Sequence, residues 1–160
     1  MDLRAGRGRL YDLRMLNWDD LVSGHEIAFL TRLATSVICG VLIGVERESR
    51  NKPAGISTHC FVIGGAALFT FLSMAVDPNS PARIAAQVIS GIGFLGAGMI
   101  LKSDSGTITN LTTAAAVWFA AAIGMAIGFG WYVIALVAAV YAVVVPRIPH
   151  FSKWGKDHDQ

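Results

Sequence analysis

The chain has 160 residues, 54% of them hydrophobic and 15% charged, with a net charge of +2. Soluble domains carry roughly 25% charged residues, so this chain has too little charge to cover a water-facing surface, and its mean hydropathy of +0.55 points to lipid. A balance of +2 is too small to argue for nucleic acid, and Cys39 and Cys60, both in apolar runs, read as small packing residues and not as a disulfide framework.

Residues 1–27 are polar and mixed in charge. Arg4, Arg7, Arg9 and Arg14 precede Met15, and a chain starting at Met15 opens instead with Asp19, Asp20, His25 and Glu26; the sequence leaves Met1 and Met15 both open as the start, and the later one is the hypothesis that suits the orientation below. The first apolar run ends in charge instead of a small-residue cleavage site, so it reads as a retained span and not as a signal peptide. Because a bilayer core about 30 Å thick needs roughly 20 helical residues, residues 28–146 divide into five spans. Span one runs from Ala28 to Val45 with Arg32 inside it, and span two from Ile56 to Val76. Pro78 and Pro81 break the chain. Span three runs from Ile84 to Leu101. The charge-free stretch from Leu111 to Val145 would reach about 52 Å as one helix. The glycines and aromatics of Gly128-Phe129-Gly130-Trp131-Tyr132 divide it into spans four, Leu111 to Gly128, and five, Trp131 to Val145. The fold class expected is all-α, a polytopic membrane bundle of about five helices, followed by a short cytoplasmic tail over 147–160.

Five spans put the termini on opposite sides. Arg47, Arg50, Lys52, Lys102, Arg147, Lys153 and Lys156 fall on one side, with Arg83 alone on the other past Met15. The positive-inside rule makes the basic side cytoplasmic, with the N-terminus outside.

Gly91-Ile92-Gly93-Phe94-Leu95-Gly96 spells a dinucleotide fingerprint, but no strand–turn–helix context surrounds it. With Gly98, these glycines read instead as a surface for close helix approach, like Gly40 and Gly44 in span one. Arg32, Ser36, Gly40 and Gly44 form one stripe, and Arg83, Gln87, Gly91 and Gly98 another. Two such stripes are expected to pack inward. Arg32 either snorkels or pairs structurally, or it has an inward functional role. Glu46 and Arg50 are i,i+4 partners, and the Glu46-Arg47-Glu48 cluster is a stop-transfer signal, an anchor for residues 51–58, or a cation site. Asn110, Thr112 and Thr113 open span four and are expected to cap it and to bond across to a neighbour. No nucleophile–base pair, metal-ligand cluster or cofactor motif stands out, and an enzyme is not expected.

Several ordered motifs together resemble the MgtC/SapB family of bacterial inner-membrane proteins: GVLIGVERE from Gly40, NKPAGISTH from Asn51, GAALF from Gly65, RIAAQVISGIGFLGAG from Arg83 and LTTAA from Leu111. The resemblance covers about residues 27–146. It implies a multi-pass helical domain in the cytoplasmic membrane, growth under low Mg²⁺, and either Mg²⁺ transport or restraint of the membrane ATP synthase. Its recurrent polar positions fall on Arg32, Glu46, Arg47, Glu48, Arg83, Gln87, Asn110 and Thr112. Better-known members add a soluble C-terminal domain resembling the ACT fold; no such domain is expected within these 160 residues, nor are roles resting on it. The leading expectation is a non-enzymatic module that interacts with other membrane proteins or with itself. The alternative is a Mg²⁺ transporter with Glu46, Glu48 and Asp104 at an inner mouth.

Overall fold

The computed structural model describes residues 24–76, 78–80, 82–102 and 108–148. The reading of Met15 as the start, the Asp104 position and most of the tail lie outside these. Five α-helices follow one another: α1 (Glu26–Ser49), α2 (Ile56–Val76), α3 (Ala82–Met99), α4 (Leu111–Gly128) and α5 (Tyr132–Val144). A 3₁₀ turn, Val145–Arg147, extends α5. Between α3 and α4 the chain forms a short antiparallel pair, β1 (Leu101–Lys102) with β2 (Ile108–Thr109). Span three therefore ends at Met99, two residues early.

α1, α2 and α4 are each long and apolar enough to cross a membrane. α2 and α4 coincide with spans two and four, and α1 runs past Val45 to take in the charged residues as far as Ser49. α2 and α4 pack together at the centre, α1 lies against α2, α3 flanks α2 and α4, and α5 closes against α4 and α1. Large apolar side chains such as Ile38, Phe61, Phe94, Val133 and Val137 point outward. Outward apolar residues on every helix face suit lipid and not water. The chain is a membrane protein. Its core is small: Cys39, Ile43, Ile63, Val117, Ala120, Ile123, Ile127, Ala135 and Ala139 are all buried.

The helix ends have local causes. α1 stops where Asn51 takes a left-handed φ of 53°. The Asn51 N–H then donates to Glu48 O and the Lys52 N–H to Arg47 O, which satisfies two end carbonyls before Pro53. α4 stops the same way at Gly130, φ 83°, where Gly130 N donates to Ile127 O and Trp131 N to Ala126 O. Of the two glycines expected to make this turn, only Gly130 does so.

Gly128 packs instead. A Cβ there would lie 2.5 Å from Thr70 Cβ, and one on Gly124 2.7 Å from Ala66 Cβ, so both glycines let α4 close on α2. Gly40 and Gly44 serve α1 likewise, against Cys60 and Ile56 of α2. The expectation for span three needs correcting. Added Cβ atoms at Gly91, Gly93 and Gly98 would meet nothing within 4 Å, and one at Gly96 only Ala114 Cβ at 4.0 Å. The two stripes do not pack on each other: the stripe of α1 faces α2, and that of α3 faces out. Among its described residues α3 buries Ala85, Ile92 and Gly96.

Candidate functional site

Two arginine-centred nodes sit near opposite ends of α1, fifteen residues or about 22 Å apart along the axis. The first belongs to Arg32. Its Nε donates to Gly128 O at 3.0 Å, its Nη1 to Ala28 O at 2.8 Å, and its guanidinium lies 4.8 Å from the Phe71 ring centroid. Gly128 is the last residue of α4, so the cation meets the negative end of a helix and an otherwise open carbonyl. Of the alternatives open for Arg32, structural pairing is the one the geometry displays.

The second node gathers the end of α1 with the beginnings of α2 and α4. Arg47 is 1% exposed and Glu46 2%, so this pair is not a solvated stop-transfer cluster. Arg47 Nη2 donates to Thr113 Oγ1 at 2.7 Å, tying α1 to α4. Glu46 Oε1 accepts from Arg50 Nη1 at 3.3 Å, the i,i+4 pair expected from spacing. Arg50 Nη1 also donates to Pro146 O at 2.6 Å, which draws in the end of the α5 segment. Glu48 Oε1 accepts from Ile56 N at 2.9 Å, covering the first N–H of α2 from the preceding helix. The carboxylate fits because residue 55 is glycine: a Cβ there would fall 2.8 Å from Glu48 Cγ.

His59 completes the node. It is fully buried, and its Nδ1 lies 2.9 Å from Gly55 O. A carbonyl only accepts, so Nδ1 carries the proton and donates. Glu46 Oε2, Arg47 Nε, Arg47 Nη1 and His59 Nε2 are buried without hydrogen-bond partners among the described residues. Buried groups of this kind are nearly always paired, which marks this end of the bundle as the place where polar chemistry can occur. No group of three or more His, Cys, Asp or Glu that could hold a metal occurs among the described residues.

The remaining sequence-derived positions scatter. Asn110 occupies the N-cap of α4 with φ 64° and no side-chain cap bond; its carbonyl instead accepts from Ala114 N at 2.9 Å. Thr112 is exposed, and Thr113 makes the cross-helix bond. Arg83 and Gln87 are exposed on α3. His59 and Gly55 both lie in the NKPAGISTH motif, but the sequence alone assigns neither a role of its own.

The MgtC family model matches residues 33–151, which include nearly all of the helical bundle and the second node. The chain belongs to the MgtC family. It is 44% identical over 112 residues to Protein MgtC of Salmonella typhimurium strain LT2, covering 70% of this chain and 48% of that protein. It is 41% identical over 131 residues to the Putative magnesium transporter YhiD of Escherichia coli K12, covering 76% of this chain and 60% of the relative. A Haemophilus influenzae protein is 39% identical over 141 residues, with 81% and 59% covered. The chain thus spans about half to three-fifths of the curated relatives it matches. No solved structure matches it.

Proposed function

We propose that this MgtC-family chain is a non-enzymatic module of the bacterial inner membrane. It acts by interaction with other membrane proteins, in adaptation to Mg²⁺ limitation or in membrane energetic homeostasis. Its N-terminus lies outside and its C-terminus in the cytoplasm, which places the Glu46–Arg47–Arg50 node at the inner face, with Arg47, Arg50 and Arg147 on the side that the positive-inside rule assigns. The observation that carries the reading is the buried Arg47. Arg47 and Arg50 balance Glu46 and Glu48, and both carboxylates are already engaged, Glu46 by Arg50 and Glu48 by the Ile56 N–H. Such a node suits a lock between helices better than a Mg²⁺ path.

Magnesium transport is the second reading, favoured by the name of the YhiD relative. The family resemblance makes the membrane ATP synthase the first partner to test. Crosslinking in membranes of cells grown at low Mg²⁺, followed by identification of the adducts, tests the docking reading. Recovery of a defined membrane partner supports it, and adducts no different from those of an unrelated five-helix protein overturn it. A reporter enzyme fused after Arg147 tests orientation: the cytoplasmic form is expected to be active and the external form silent.

A further inference from the structure

The second node has more hydrogen-bonding capacity than its own side chains fill. Arg47 Nη2 is spent on Thr113. Arg47 Nε and Nη1, Glu46 Oε2 and His59 Nε2 have no partner among the described residues, and all three side chains are at most 2% exposed. His59 stands within electrostatic range of both Arg47 and Glu46. With Nδ1 donating to Gly55 O, Nε2 is left as an acceptor. Two donor nitrogens therefore share this end of the bundle with two acceptor atoms, and none of them bonds another directly. Groups buried in this way are bonded to something in nearly every protein.

The floor beneath them is apolar. One helical turn deeper than Arg47, His59 and Thr113 lie Ile43, Ile63 and Val117, each 1% exposed or less. A cation would suit Glu46 and His59 but is repelled by the Arg47 guanidinium, and an anion would suit Arg47 but meets the Glu46 carboxylate. The mixed set of donors and acceptors calls for a small neutral molecule that both donates and accepts. Water does both, and a buried water makes about three bonds to groups that are otherwise unpaired.

We propose that the node binds water, which accepts from Arg47 Nε and Nη1, donates to Glu46 Oε2 and His59 Nε2, and so completes the junction of α1, α2 and α4. The apolar floor confines the water to this end, as a bridge between helices and not as a file through the bundle. Such a bridge makes His59 part of the lock, because it ties α2 to the same Arg47 that bonds α4 directly. Water at this place is compatible with either functional reading above.

Solid-state NMR of the full-length chain in lipid vesicles, with magnetisation transferred from water, tests the site. Labelling the threonine carbonyl carbon and the histidine nitrogen picks out His59, because Thr58-His59 is the sole Thr-His pair in the sequence. The readout is ring proton Hδ2 beside Nε2, which is bound to carbon and does not exchange with solvent. Transfer to it should exceed that to the Ile63 methyls about tenfold or more, since transfer falls steeply with distance and Ile63 lies a turn, about 5.4 Å, deeper. Absence of transfer to His59 would overturn the proposal, and so would equal transfer at Ile63, the mark of open water. A ring protonated on both nitrogens would overturn it too, because Nε2 would then donate and could no longer accept from water. Replacing the donors by Arg47→Met with Thr113→Val should lower the transfer at His59 severalfold, and an unchanged rate would refute the bridge.

Discussion

Gly44→Ala compared with Gly91→Ala asks whether glycine in this bundle marks packing by its position and not by its number. At Gly44 the new Cβ would lie 2.6 Å from Ile56 N and 2.8 Å from Ile56 Cγ1. Ordinary contact begins near 3.4 Å, so α1 and α2 must part by roughly 1 Å. The obstacle is backbone, which no rotamer change can relieve. Overpacking of this kind costs about 1–3 kcal/mol, and a gap of that size forfeits a quarter to a half of the dispersion attraction nearby. The separation also pulls Ile56 N from Glu48 Oε1, now 2.9 Å apart. About 3 kcal/mol in all is expected. At Gly91 nothing lies within 4 Å, so the substitution leaves the bundle intact and gains about 0.5–1 kcal/mol of helix propensity. Unfolding of the purified monomer in mixed micelles, titrated with a denaturing detergent and followed by tryptophan fluorescence, reads the difference. Gly44→Ala should unfold well before the parent and Gly91→Ala no earlier than it. Matching midpoints for the two variants would refute the assignment of packed and open faces.

Three further outcomes follow from the nodes. Thr113→Val removes the one hydrogen-bond acceptor that the buried Arg47 has among the described residues and should cost about 1.5–3 kcal/mol, whereas Arg47→Met with Thr113→Val should recover most of that loss; the same unfolding titration checks both. Gly55→Ala drives a Cβ into the Glu48 carboxylate, so its penalty of about 1–2 kcal/mol should shrink in the Glu48→Ala background, and additive penalties in a double-mutant cycle would contradict the contact. Arg32→Met loses the Gly128 carbonyl and the Phe71 ring, about 1–3 kcal/mol together, and hydrogen exchange should rise first at the end of α4.

The helices were legible because membrane depth imposes long uninterrupted apolar runs, and the ends of α2 and α4 fall where charge, proline or glycine forces them. Residue pairs four apart on one helix were legible too, as with Glu46 and Arg50. What escaped depended on contacts between helices distant in sequence. Arg32 meets the carbonyl of Gly128, ninety-six residues away, and no local pattern announces that. Both α1 and α3 carry a stripe of small residues on one face, yet only the α1 stripe meets a neighbour, because periodicity fixes a face and not what lies opposite. Gly124 and Gly128 were hidden in an apolar run and next to a turn. Asn110 takes a left-handed φ of 64° where a side-chain cap needs extended backbone, and its side chain makes no cap bond.

Mg²⁺ flux into proteoliposomes holding the purified chain tests the central claim most directly. With Arg47 fixed and buried at the inner node, the parent protein should carry no more Mg²⁺ than protein-free vesicles, and Glu46→Gln should change nothing. Saturable uptake by the parent, abolished by Glu46→Gln, would contradict the account and make the node an ion site.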